Sequence, residues 1–178
     1  MTTTTAHIIP IGPEVYLATT AAAEDLAVAW GLTHPDPQQS PQSILEDHAR
    51  MWQALHAACR QQLADTLSLL ENPDPALIAQ ATGMSPDQAR QALLTPPHTE
   101  DPDCDCDLDA WHYAGAAGED LGQTWHLYYD DHHDEPDEPD DQEHLDQARI
   151  FAHLQQAITD NLDQILDDLH HLHPTPPH

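Results

Sequence analysis

The chain reads as a mainly α-helical domain in which two long amphipathic helices flank a pair of short central helices, with a small aromatic β-hairpin after the pair. Three observations predict this. Aliphatic residues recur at three- and four-residue steps over two long stretches, cap residues bracket two short ones, and "WHYAG" and "TWHLYYD" flank a Gly-containing connection. A length of 178 residues with 39% apolar residues is enough for one buried core and short for two ordinary domains.

Residues 1–42 form an N-terminal extension that joins a β-capable stretch, "HIIPIGPEVYLATT", to an Ala-rich helical stretch, "AAAEDLAVAWGL". Gly31 and the breaker run "HPDPQQSP" end it. The helical domain follows over 43–95. Ser43 and Glu46 make a capping-box pattern, and Ile44, Leu45, Met51, Trp52, Leu55, Leu63, Leu67 and Leu70 keep helical spacing until "NPDP". Asp74 is placed to cap a short helix that opens on Pro75 and ends at Gly83. Ser85 caps the next, with Pro86 just inside and Gln88 completing a second capping box.

Residues 96–130 read as an acidic loop followed by the hairpin. Glu100, Asp101, Asp103, Asp105, Asp107 and Asp109 crowd a stretch without apolar period, and aromatic residues enrich the two strands after it. Residues 131–143, within "DDHHDEPDEPDDQEH", are too acidic and too poor in apolar side chains to order themselves. The last element, 144–172, carries Phe151, Leu154, Ile158, Leu162, Ile165, Leu169 and Leu172 on one helical stripe. That stripe requires a cover, either the first long helix or a partner chain. A homodimer with Phe151, Leu154, Ile158, Leu162, Ile165 and Leu169 as its seam is the expectation.

The central pair carries a likeness. Ile78 and Ala79, then Gly83, Met84 and Ser85, then Ala89, Arg90 and Leu93 resemble the consensus of the bacterial helix-turn-helix domain, over residues 74–94 only. The resemblance implies a helix-turn-helix-like core in which Met84, Ala89 and Leu93 pack the second helix on the first. Thr82 departs from the pattern, which usually has an apolar residue there. With a long helix before it and a hairpin after it, the order is also similar to a winged helix-turn-helix, the hairpin being the wing. Ser85, Asp87, Gln88, Arg90 and Gln91 would then face DNA or another partner.

Charge sets the kind of partner. Four Arg, no Lys and 32 acids give a formal charge of −28, whereas DNA affinity is driven by Lys and Arg on phosphates. Residues 43–94 hold three Arg against six acids; residues 100–146 hold 18 acids and no Arg or Lys. A near-neutral core beside a strongly acidic segment points to a non-enzymatic regulatory protein whose partner is a basic or nucleic-acid-binding protein. Three alternatives stand beside it: an acidic DNA mimic, a winged helix-turn-helix transcription regulator, and a binder of zinc or another divalent metal.

The metal reading rests on Cys104, Cys106, His112, His132 and His133, soft and imidazole donors in one window whose spacing matches no zinc template. Cys59 makes the cysteine count odd, and no disulfide framework is implied. His48 and His56 share one face of the first long helix and read as half-buried packing, as Trp52, Trp111 and Trp125 read as core or hairpin packing. No P-loop lysine, nucleophile elbow, His-Glu-x-x-His or dinucleotide fingerprint appears, so no enzyme class is indicated. The opening "MTTTTAHIIPIGP" has neither the basic nor the apolar region of a signal peptide, and no run is long enough to span a membrane; a cytoplasmic location is expected.

Overall fold

The computed structural model of the chain describes residues 9–98, 107–127 and 141–172. Six helices occupy them: α1 (Pro13–Ala29), α2 (Pro41–Leu67), α3 (Pro75–Thr82), α4 (Pro86–Leu94), α5 (Leu108–Thr124) and α6 (Asp141–Leu172). No strand occurs among the described residues.

The mainly helical expectation holds and the hairpin does not. Trp111–Gly115 lie inside α5, and Trp125–Leu127 form the turn that ends it; Tyr128–Asp130 fall outside the described residues. The aromatic residues carry the β-propensity, but they are not the pattern that is buried. Ala110, Ala114, Ala117, Gly118, Leu121 and Gly122 fall on one helical face and all are buried, so a stripe of small side chains decides the element. Asp107, read as loop, is its N-cap and accepts from the Ala110 backbone N–H at 2.8 Å.

Other boundaries shift for similar reasons. α1 starts at Pro13, so most of the β-capable stretch is helix, and Val15, Thr19, Ala22, Ala23, Leu26 and Ala27 place the extension in the core. The cap of α2 is Ser40, whose side chain accepts from the Ser43 N–H at 3.1 Å; Pro41 opens the helix and no Ser43–Glu46 box forms. α6 begins at Asp141, inside the segment expected to be disordered, and residues 131–140 lie outside the described residues. The caps of the short pair are as expected: Asp74 on Ala76 N–H, left-handed Gly83 (φ 80°), and the reciprocal Ser85–Gln88 box.

Tertiary packing joins helices distant in sequence. α2 packs mainly on α6 and α1 on α5, while α3 and α4 pack on each other and cover α6 and α2 respectively. α2 and α6 run antiparallel, since Asp141 at the start of α6 caps the Glu71 N–H beyond the end of α2 at 2.9 Å. Leu55, Leu63, Leu154 and Ile158 are essentially fully buried, each contributing about 1.5–3 kcal/mol of transfer free energy.

These pairings expose an internal repeat. "AAAEDLAVAWGL" of α1 and its end recurs as "AAGEDLGQTWHL" of α5 and its end, and "DHARMWQALHAAC" of α2 recurs as "DQARIFAHLQQAI" of α6. The buried residues match one for one: Val15, Thr19, Ala22, Ala23, Leu26 and Ala27 stand opposite Ala110, Ala114, Ala117, Gly118, Leu121 and Gly122. α1 and α5 end alike. Leu32 N–H bonds Ala27 C=O at 2.8 Å past left-handed Gly31, and Leu127 N–H bonds Gly122 C=O at 2.9 Å past His126, the one non-Gly residue with positive φ (55°) among the described residues. The chain is thus two α-hairpins of one pattern, α1–α2 and α5–α6, with α3–α4 inserted between them.

Candidate functional site

The outer face of α4 is the first candidate, because the short pair presents it. α3 buries Ile78 and α4 buries Ala89 and Ala92 against Leu63, Leu67, Leu70 and Leu145, which leaves Asp87, Gln88, Arg90 and Gln91 exposed and Ser85 half-buried. Thr82, the departure from the consensus, is fully buried without being left unpaired. Its hydroxyl donates to Ile78 C=O at 2.7 Å and accepts the Met84 N–H at 3.3 Å across the turn.

Two side chains of that face have partners within the chain. The guanidinium of Arg90 forms an ion pair with Asp87 one turn earlier, and the side-chain oxygen of Gln88 accepts the Ser85 N–H at 2.9 Å in the capping box. Gln88 and Gln91 also line a groove of about 390 Å³ between α2, α4 and α6, with His56, Arg60, Gln155 and Gln156. Burial and then the neighbouring Arg60 hold the His56 imidazole below its ordinary pKa. Of the other cations, Arg50 pairs with Asp47 and Arg149 lies over the Trp125 ring, 4.7 Å from its centroid.

Trp125 is a junction of three helices. Its Nε1 donates to Glu14 Oε1 of α1 at 3.1 Å, and its ring meets the edge of His153 of α6 at 5.1 Å. Glu14 is held below the usual carboxylate range by a backbone hydrogen bond and then by Trp125, while burial chiefly lowers His153. Tyr16 adds a second α1–α6 tie by donating to Asp160 at 2.7 Å.

The remaining site residues do not assemble around an ion. His112 is exposed on α5; Cys104, Cys106, His132 and His133 lie outside the described residues, and no group of three His, Cys, Asp or Glu gathers as a metal site among those described. In the register of the repeat, Cys104 and Cys106 stand opposite Ile9 and Ile11. Of the expected dimer seam, Leu154 and Ile158 are buried within the chain's own core; Phe151, Leu162 and Ile165 pack half-buried against it, and Leu169 is half-buried nearer the end of α6. The first long helix and α1 therefore supply cover for much of the stripe.

A second groove, of about 590 Å³, lies between α2, α5 and α6 and was not foreseen from the sequence. Gly115, Gly118 and Gly122 of α5 line it with Trp111, Phe151 and the carboxylates Glu119, Glu143 and Asp146. A Cβ at 118 would stand 2.8 Å from two atoms of the Phe151 ring, so glycine permits that contact although each helical Gly costs about 1 kcal/mol relative to Ala. Recurrence of "ED", Leu and Trp-x-Leu in the two halves was the signal that marks this wall of the groove.

Fold and grooves together define an internally duplicated protein, helical throughout its described elements, with an inserted short helical pair. Comparison with protein families, curated proteins and solved structures finds no match for the chain. No helix among the described residues is long and apolar enough to cross a membrane.

Proposed function

We propose that the chain is a non-enzymatic regulatory protein that docks a basic protein partner through the outer face of α4 and its acidic surface. One observation carries this reading: the two α4 side chains best suited to grip DNA, Arg90 and Gln88, are engaged within the chain by Asp87 and by the Ser85 cap. A protein that binds duplex DNA neutralises several phosphates, whereas the α4 face offers one Arg with a carboxylate beside it on a chain of formal charge −28. The helix-turn-helix likeness is then a scaffold for protein contact. A partner that itself binds nucleic acid would make the chain a DNA mimic, and competition by DNA for that partner identifies the case.

The test has two arms. Fluorescence anisotropy with genomic duplexes at physiological salt is expected to give no sequence-selective binding, and capture from the native host is expected to retain a basic protein that is lost on Gln91→Ala and Asp87→Ala. Sub-micromolar selective DNA binding that falls on Arg90→Ala overturns the proposal in favour of a transcription regulator.

A further inference from the structure

The groove between α2, α4 and α6 joins counterpart positions of the two halves. In the register that sets Met51 opposite Ile150, His56 stands opposite Gln155 and Arg60 opposite Thr159, and all four line it. α2 and α6 supply two walls, and α4 of the inserted pair supplies the third through Gln88, Gln91 and Ala92. The floor is apolar: Ile9, Leu63, Met84 and Ala152 are all buried.

No carboxylate lines this groove, in a chain with 32 acidic residues. The groove between α2, α5 and α6 and the small pocket beside Asp36 and Asp47 both carry them. The cation here is Arg60. Arg50 and Arg90 are paired with Asp47 and Asp87 and Arg149 lies over Trp125, whereas Arg60 has no partner among the described residues. Hydrogen-bond donors line the same walls. The side-chain oxygen of Gln88 accepts the Ser85 N–H, which leaves Nε2 to donate, and the side-chain amides of Gln91 and Gln155 have no partner among the described residues. His56, one turn before Arg60, is held below its ordinary pKa by burial and then by Arg60, so near neutral pH it offers hydrogen bonds without a second charge.

An unpaired guanidinium and amide donors above a buried apolar floor fit an anionic head on an apolar body. The volume of about 390 Å³ lies in the range of small-molecule sites. The formal charge of −28 limits the head to one negative charge, because the field of the chain opposes a dianion about twice as strongly and a single Arg answers it. We infer that this groove binds a small organic monocarboxylate, with its carboxylate on Arg60 and the Gln amides and its apolar body on Ile9, Leu63, Met84 and Ala152. The groove shares Gln88 and Gln91 with the α4 face, but binding of an acid by the chain alone does not require the docking role, and loss of either reading leaves the other standing.

Titration calorimetry of the full chain with octanoate and with 4-phenylbutyrate, at about 0.15 M ionic strength, is the test. At least one of the two is expected to saturate at one site per chain with a Kd of about 1 mM or tighter. 1-Octanol, which keeps the body without the charge, and acetate, which keeps the charge without the body, are expected to bind about tenfold more weakly or worse. Arg60→Gln, at an exposed position, is expected to weaken the acid about tenfold or more. Gln155→Glu, which sets a carboxylate in the groove, should do the same. Arg50→Gln removes an equal charge outside the groove and is expected to leave binding within about twofold. Melting curves establish that the variants fold. Failure of both acids to saturate, or equal weakening by Arg60→Gln and Arg50→Gln, overturns the inference. Inorganic phosphate binding more tightly than either acid overturns it as well, and assigns Arg60 to a phosphate ligand.

Discussion

Thr82→Val removes the hydroxyl that bridges the turn between α3 and α4. The two side chains have nearly the same shape and similar helix propensity, so packing around the fully buried position is retained. Two bonds are removed: the hydroxyl's donation to Ile78 C=O and its acceptance of the Met84 N–H. Ile78 C=O lies within α3, but the Met84 N–H lies in the turn beside a side chain that is itself buried. Leaving such a donor unpaired costs about 1–3 kcal/mol, and the long 3.3 Å bond places this one in the lower half, about 1–2 kcal/mol. For a chain of this size that is a fall of roughly 2–8 °C in Tm. Urea denaturation followed by far-ultraviolet circular dichroism measures it, with an unchanged slope showing that the unfolded state is unaltered. A Val variant as stable as the parent, or more stable, refutes the reasoning and makes Thr82 replaceable by the apolar residue that the helix-turn-helix consensus has there.

Ile158→Asp is expected to unfold the chain, since an unpaired carboxylate at a position 1% exposed costs more than about 4 kcal/mol, whereas Leu166→Asp, at a position 43% exposed, should cost less than about 1 kcal/mol; thermal melts distinguish them, and a folded Ile158→Asp chain contradicts the packing. Folded His56 and His153 titrate below the unfolded imidazole value, so their stabilising contribution is complete above about pH 6.5 and is lost as pH falls toward the lowered folded values. The double variant His56→Gln/His153→Gln is accordingly expected to flatten the pH dependence of Tm below neutrality, and an unchanged acid limb counts against it. Burial raises the Cys59 thiol to about 12, so peptide mapping after brief native alkylation should find it unmodified and find it labelled in denaturant. Calorimetry with zinc, repeated on Cys104→Ser/Cys106→Ser, decides the metal reading: a stoichiometric site should vanish with the pair.

α2, α3, α4 and α6 were legible because large aliphatic residues mark their buried faces and Pro, Ser, Asp and Gly mark their ends. α5 was not, because its buried face is Ala, Gly and one Leu, which carry little hydrophobic signal, while the exposed or half-buried Trp111, His112 and Tyr113 carry a strand's propensity. The repeat went unread for the same reason. One copy reads as an Ala-rich helix and the other as a hairpin, which hides the likeness of "AAAEDL" to "AAGEDL". At the α4 face the exposed residues were readable from spacing, but the Asp87–Arg90 pair and the rotamer of Gln88 decide what they offer. The groove depends on α5 meeting α6, a contact between elements far apart in the chain.

The interlocked pairing of the two hairpins has a consequence for how the polypeptide emerges from the ribosome. α1 and α2 find their main partners in α5 and α6, so the first half is made before the surfaces that bury it exist. At ordinary synthesis rates that wait is roughly 5–20 s, long beside the microseconds in which a helix forms. During it α3, α4 and α5 can cover only part of α2, and the burial of Leu55, Cys59 and Leu63 is not complete until Leu154 and Ile158 have cleared the exit tunnel. Loop closure over so long a segment precedes any reward from contact, which places the rate-limiting step of folding late in translation. A stop codon anywhere before α6 would therefore release a chain in which the apolar stripe of α2 lacks its main cover.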